Sequence, residues 1–377
     1  MQMEKFIDYL YRITEKPIFC GVPDSQLKPL CNYLMKNYGI SSQHIIAANE
    51  GNCTAIAAGY YLSTGRIPVV YMQNSGIGNV INPIASLLND EVYAIPCIFI
   101  VGWRGEPGIH DEPQHIYQGK VTVKLLEDMD VKTFILGKET TDEELADNME
   151  KVQKLLKKGK SIAFVIKKGA WSYAEKVEYK NDYLMYREEI IENVVQAAGE
   201  DIIVSTTGKA SRELFEIREA KGQPHQADLL TVGSMGHSSS IALGIALNKV
   251  KQKIWCIDGD GAALMHLGAM AVIGSHQPHN LIHILINNEA HETVGGMPTV
   301  AKNIDFTQIA LGCGYQKAVC VKEISELVTA LGQAKNGNEL TFIEVKAQIG
   351  ARDDLGRPTI KAVDNKKNFM QYIKTLD

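Results

Sequence analysis

Residues 253–261 read KIWCIDGDG, and residues 281–288 read LIHILINN. Each is an apolar run of strand length that stops at polar turn-formers, and the stretch 264–275 between them carries a helical pattern. Glycine on both sides of Asp260 lets the chain turn sharply and approach a phosphate closely. Asn287-Asn288 closes the second run, Asn287 standing 27 positions after Asp260. One carboxylate and one amide oxygen suit a hard divalent cation and leave coordination positions for phosphate oxygens. The two strand ends therefore read as half of a metal-diphosphate site.

Working outward, short apolar runs at 44–48, 68–72, 95–101 and 161–166 alternate with longer amphipathic segments. A second series follows at 201–205, 253–258, 281–287 and 340–347, with helical patterns at 210–220, 237–248, 264–275 and 322–334. That alternation predicts an α/β protein with two open parallel-sheet domains and helices on both faces of each sheet. A chain of 377 residues is too long for one ordinary core and fits two of roughly 180 residues each. The stretch 169–186 has no clear period, which puts the expected domains at 1–170 and 187–377 with a linker at 171–186. No sequence repeat relates the halves.

A net charge of −5 gives no overall bias toward nucleic acid or an anionic membrane, so any anionic ligand must be held locally. Seven scattered cysteines form no CxxC pair and no zinc spacing, and several lie in apolar runs, which reads as free thiols in a reducing compartment. No stretch approaches a membrane span of ~18 apolar residues. The expected location is the cytoplasm.

Several residues could carry chemistry. Glu50 stands between the strand at 44–48 and an Ala-rich helix, where it could complement the helix dipole or act on a ligand. Asp24 could act in a site or cap the helix that follows. Gly76 lies in a Gly-containing loop at the end of the strand 68–72, the edge where parallel sheets bind ligands. The loop WRGEPGIHDEPQH, residues 103–115, concentrates Arg104, His110 and His115 after another strand. Gly208-Lys209 and Gly233-Ser234-Met235 precede helices whose first amides could meet an anion. His291 follows Asn288 in the stretch 289–299, and the tail brings Arg352 and Arg357.

Gly259-Asp260-Gly261 followed by Asn287-Asn288 resembles the signature of thiamine-diphosphate-dependent enzymes, and the resemblance covers essentially the whole chain. It implies thiamine diphosphate and Mg2+ as cofactors, the metal being held by Asp260, an Asn of the pair and the Ala290 carbonyl. Asn288 is favoured, with Asn287 left open. It implies that Glu50 hydrogen-bonds the aminopyrimidine to promote the ylid, and that Met235 supports the bent cofactor. The expected cofactor contacts also include Gly76, Gly208, Lys209, Gly233 and Ser234, then Gly259, Gly261, Ala262 and His291.

At finer grain the stretches 21–25, 71–82, 103–115, 233–239, 287–299 and 354–358 resemble the phosphonopyruvate decarboxylases, with sulfopyruvate decarboxylase as neighbour. This implies decarboxylation of 3-phosphonopyruvate to phosphonoacetaldehyde in phosphonate biosynthesis. Arg104, His110, Arg352 and Arg357 then become candidates for the substrate's anionic groups, and Asp24 and His115 for handling protons. The resemblance further implies a homo-oligomer with active sites at subunit interfaces. Sulfopyruvate decarboxylation, carboligation, or a non-catalytic cofactor-binding subunit remain the alternatives.

Overall fold

In the first half of the chain six strands form one all-parallel sheet: β1 (Phe19–Gly21), β2 (His44–Ile46), β3 (Val69–Gln73), β4 (Ile98–Gly102), β5 (Lys132–Leu136) and β6 (Ile162–Ile166). The second half holds β7 (Ile202–Ser205), β8 (Asp228–Leu230), β9 (Ile254–Gly259), β10 (Leu281–Asn287), the short hairpin β11 (Ala290–His291) and β12 (Met297–Pro298), then β13 (Lys317–Val321) and β14 (Thr341–Lys346). The computed structural model describes residues 1–376, and they divide into one unit of Met1–Glu178 and a second beginning at Tyr179.

The two sheets share one topology. Their orders are β2-β1-β3-β4-β6-β5 and β8-β7-β9-β10-β14-β13, so in order of appearance each runs second, first, third, fourth, sixth, fifth. In such a sheet the chain leaves the first strand to one side and crosses to the other, opening a crevice at the carboxyl ends of the first and third strands. In the first unit that crevice lies after β1 and β3, where Asp24 and Gly76 follow. In the second it lies after β7 and β9, where Gly208 and Asp260 follow.

Central strands are apolar throughout because helices cover both faces: β4 (IFIVG) and β6 (IAFVI) are buried at every position. The edge strands β5 (KTFIL) and β13 (KAVCV) expose Lys132, Ile135, Lys317, Val319 and Cys320, and that broken pattern hid them in the sequence. The segment 264–275 is not one helix. Asp260–Met265 and Gly268–His276 are separate, divided where His266 leaves helical geometry (φ −133°, ψ 49°), so the first helix begins at Asp260 itself.

The opening helix Met3–Thr14 buries Met3, Phe6, Ile7 and Leu10, one stripe at helical spacing. Phe6 meets Phe164 of β6 edge-on at 5.2 Å and Trp171 at 4.7 Å. In the second unit Trp255 is fully buried, and its indole N–H donates to Asp201 (2.9 Å). The aperiodic stretch 171–186 is pinned to both units: Ser172 pairs with Gln2, whereas Met185 pairs with Ala347 and Asn181 Nδ2 donates to the carbonyls of Asn288 and Ala347 (3.0 Å each). No helix among the described residues is long and apolar enough to cross a membrane.

Candidate active site

Asn49 caps the helix Glu50–Thr64, its Oδ1 accepting from the Gly51 amide (2.7 Å), and this makes Glu50 the first helical residue. Its carboxyl is buried, and Asn79 Nδ2 donates to Oε2 (2.7 Å). Oε1 lies so close to Gly76 that a Cβ there would overlap it, which explains the glycine in the loop after β3. Burial raises the pKa of Glu50 and the Asn79 hydrogen bond partly offsets that. A carboxyl in this setting retains a proton more readily than one in water, as exchange with a ligand nitrogen requires.

Around the carboxyl ends of β1, β3 and β4 the structure gathers Asp24, Arg104 and His115. Asp24 is completely buried: Oδ1 accepts from Gln73 Nε2 (2.6 Å) and Oδ2 from the Gln26 amide (3.1 Å). The next helix starts at Lys28 with Leu27 at its cap position, so the helix-cap reading of Asp24 does not hold. Burial raises its pKa, against the hydrogen bond from Gln73 and the charge of Arg104. His115 sits buried in the first turn of the helix Pro113–Asp128, with Nδ1 lacking a hydrogen bond. Burial and the Arg104 charge push its pKa down to about 4, so the imidazole is neutral at pH 7.

Arg104 is less available than the sequence suggests. Its guanidinium forks onto Asp111 (Nε to Oδ2 2.8 Å, Nη2 to Oδ1 2.5 Å), and Nη1 donates to Ser25 Oγ (3.2 Å). Asp111 also accepts the Gly105 and Glu112 amides (2.8 Å each), and buried Asn74 holds the Arg104 backbone through both its N–H and its carbonyl. Asp111 and Asn74 were missed as functional candidates although both stand in the quoted stretches. Their partners are distant in sequence or across a turn, and no spacing marks them. His110 is exposed in the same loop.

In the second unit Asp260 is buried, with Oδ2 accepting from Thr299 Oγ1 (2.6 Å). Burial pushes its pKa up to about 7, against the Thr299 hydroxyl and the local amides. A desolvated carboxylate of this kind is one a cation would stabilise. Thr299 is tied in turn to the loop after β10, its amide donating to the Glu289 carbonyl (2.9 Å). Asn287 Nδ2 donates to Glu344 of β14 (2.7 Å), which commits it to the strand interior. Asn288 instead belongs to the loop that Thr299 joins to Asp260. Carboxylate, amide and the Ala290 carbonyl make an all-oxygen donor set, which fits a hard divalent cation.

Glu292, which the sequence did not single out, organises this corner. It accepts from Asn288 Nδ2 (2.8 Å), Lys209 Nζ (2.7 Å) and Arg187 Nη1 (2.6 Å), and Arg187 also clamps Glu213 in a fork (2.6 and 2.7 Å). Lys209, expected near a diphosphate, is thus already neutralised by Glu292.

Gly208 and Gly233 take left-handed conformations (φ 99° and 70°), and the Gly233 amide donates to Thr207 Oγ1 (2.9 Å), joining the loops after β7 and β8. Ser234 is exposed beside them and shares the left-handed region. Met235, Gly261 and His291 converge: a Cβ on Gly261 would lie 3.3 Å from the His291 ring and 3.4 Å from the Met235 methyl. His291 is buried and burial lowers its pKa to about 4. Gly259 donates its amide to Asp258 Oδ1 (2.9 Å), and Ala262 is buried in the short helix. In the tail, Arg352 meets Glu188, Glu216 and Asp354, three carboxylates that occupy its charge, while Arg212 holds the Leu355 and Gly356 carbonyls. Arg357 is exposed.

Residues 4–125 match the thiamine pyrophosphate enzyme N-terminal TPP binding domain, and residues 206–345 match the C-terminal TPP binding domain. Phosphonopyruvate decarboxylase of Streptomyces viridochromogenes is 30% identical over 372 residues, 94% of this chain and 91% of that protein. The chain belongs to the thiamine-diphosphate-dependent decarboxylase family. Within this family, sulfopyruvate decarboxylase of Methanosarcina acetivorans is 27% identical over 373 residues, 92% of this chain and 91% of that protein. Sulfopyruvate decarboxylase subunit beta of Methanocaldococcus jannaschii is 35% identical over 190 residues, 50% of this chain and 97% of that one. Glu50 falls in the N-terminal match, and Asp260, Asn288 and Glu292 in the C-terminal one.

Proposed function

We propose that this decarboxylase converts 3-phosphonopyruvate to phosphonoacetaldehyde and CO2, with Mg2+ anchoring its thiamine diphosphate, as a step in phosphonate biosynthesis. The observation that carries the reading is the 30% identity to a phosphonopyruvate decarboxylase, spread over 94% of this chain and 91% of the relative.

When bound, thiamine diphosphate supplies a carbon nucleophile and an electron sink for loss of CO2. Asp260, Asn288 and the Ala290 carbonyl would hold the metal, and Glu292 fixes the orientation of the Asn288 amide by accepting from Nδ2 (2.8 Å) while Oδ1 accepts the Ala290 amide (3.1 Å). Backbone at Gly208, Gly233, Ser234 and 259–262 would border the diphosphate, and Met235 and His291 would support the ring system. The Glu50 carboxyl would exchange a proton with the pyrimidine, and its burial raises its pKa so that it holds a proton more readily than a solvated carboxyl. Asp24, buried and Gln73-bonded, and neutral His115 handle the proton returned to the product carbon. Arg104, oriented by Asp111, is joined by His110 and Arg357 as donors to the substrate's anionic groups.

The chain works as a homo-oligomer in which Glu50 of one copy and Asp260 of another serve the same cofactor. Exposed apolar side chains on three helices support this: Ile56 and Leu62 on Glu50–Thr64, Leu247 on Ser238–Asn248, and Val272 on Gly268–His276. Seven free cysteines, five of them buried, suit the reducing cytoplasm.

Sulfopyruvate is the second reading, supported by the 27% identity to a sulfopyruvate decarboxylase over 92% of this chain. Phosphonate and sulfonate differ in charge, so kcat/KM for CO2 release from 3-phosphonopyruvate, sulfopyruvate and pyruvate, measured across pH, separates them. Phosphonopyruvate should be preferred at every pH where the phosphonate is a dianion. Preference for sulfopyruvate throughout would overturn the substrate assignment and leave the cofactor assignment standing.

A further inference from the structure

Beneath the turn that carries Asp260, the second sheet buries another set of ligating side chains. Cys256 and Asp258 are alternate residues of β9 and so share one face of the sheet, and His283 of β10 is the register partner of Cys256 on that same face. All three are buried to within 1%. One donor atom from each lies within 4.8 Å of the others, and His283 Nε2 is 3.5 Å from Asp258 Oδ2.

Neither of those last two atoms has a hydrogen-bond partner, and Ser238 Oγ, beside the Cys256 thiol, also has none in good geometry. The other ring nitrogen, His283 Nδ1, is anchored 3.0 Å from the Tyr315 hydroxyl. With Nδ1–H donating to Tyr315, Nε2 turns a lone pair toward a carboxylate oxygen. In that tautomer two acceptors face one another in a dry interior, an arrangement that a cation between them would satisfy.

A proton would satisfy the Asp258 and His283 pair but would give the adjacent thiol no part. Sulfur, nitrogen and oxygen donors, with the second histidine nitrogen held by a neighbour, are the donor set of zinc and similar thiophilic cations. Bonds of about 2.0–2.3 Å in tetrahedral geometry place donor atoms about 3.3–3.8 Å apart; the His283–Asp258 separation of 3.5 Å falls in that window, and the thiol lies within 4.8 Å of both. A thiolate and a carboxylate balance a divalent charge, so the buried set would carry no net charge.

We propose that Cys256, Asp258 and His283 form a structural site for a thiophilic divalent cation of the zinc class, separate from the oxygen donors around Asp260. Its place explains its use: Asp258 Oδ1 accepts the Gly259 amide (2.9 Å), so the cation would fasten together the two strands whose ends carry Asp260 and Asn288.

The test is metal content of the tag-free full chain, loaded with Zn2+ and then dialysed against Mg2+ buffer. About one retained zinc per chain is expected, with Cys256→Ala losing it and Cys320→Ala, at an exposed thiol, keeping it. Cobalt loading should give a sulfur-to-metal charge-transfer band in the wild type that Cys256→Ala lacks. Should Cys256→Ala not fold, X-ray absorption of the zinc-loaded wild type decides, one sulfur neighbour being expected. No retained zinc, or zinc with oxygen and nitrogen neighbours alone, would overturn the proposal.

Discussion

Asp260 and Glu292 make opposite contributions to one corner of the molecule. Asp260 is a desolvated carboxyl whose pKa rises from an ordinary 3.8 to about 7. A group raised in the folded state favours the unfolded chain as pH climbs, so in the absence of a cation stability should fall between about pH 4 and pH 7. Cation binding needs the ionised form. Mg2+ affinity should therefore be constant above about pH 7 and weaken about tenfold per unit below it. Mg2+ titrations followed by thermal melting at pH 8 and pH 6 check this, and equal affinities would refute it. Glu292 holds Asn288, Lys209 and Arg187 together. Glu292→Ala removes the acceptor for Asn288 Nδ2 and leaves only the Ala290 amide on its Oδ1, and loss of such an outer partner typically weakens metal binding about 10- to 100-fold. Calorimetry of Mg2+ with thiamine diphosphate measures it, and unchanged affinity would make Glu292 merely structural.

At the scale of elements, close packing gives glycines opposite signs. Gly274 lies in the helix Gly268–His276, where a Cβ would overlap the backbone carbonyl of Cys313, which has no flexible end to yield. Gly274→Ala should cost about 1–3 kcal/mol. Gly332, inside the helix Ile324–Asn336, has open space at the same position, so Gly332→Ala should gain about 0.5–1 kcal/mol. Denaturant unfolding of the two variants reads both signs in one experiment. What the sequence disclosed about the elements follows the same logic of surroundings. Central strands, dry on both faces, show as unbroken apolar runs. Edge strands β5 and β13, with one wet side, did not, and three-residue β8 was too short to show. The turn at Asp260 and the helix start at Glu50 were legible as places where an apolar run stops at polar residues and glycine. Asp111, Asn79 and Glu292 were not, since what matters about them is a contact made by folding.

For the whole molecule the notable fact is one topology used twice without a sequence repeat. Each sheet opens its crevice after its first and third strands, and the first unit offers Glu50 nearby while the second offers Asp260. No spacing in the sequence foretells a strand order, because order is set by which distant runs pair. If sites form between copies of a two-fold dimer, Glu50→Gln and Asp260→Asn chains, each inactive alone, should complement when refolded together. Random pairing would give one intact site in half of the dimers, hence about a quarter of wild-type activity. Activity no greater than the sum of the two variants would contradict sites between copies.

The central claim is that thiamine diphosphate chemistry, set in motion by Glu50, releases CO2 from phosphonopyruvate. Its most direct test is CO2 release from 3-phosphonopyruvate by cofactor-stripped protein, with thiamine diphosphate and Mg2+ added singly and together, for wild type and Glu50→Gln. Release is expected only when both are present, with a fall of about 10²- to 10⁴-fold in Glu50→Gln while cofactor binding persists. Release without thiamine diphosphate, or an undiminished rate in Glu50→Gln, would contradict it.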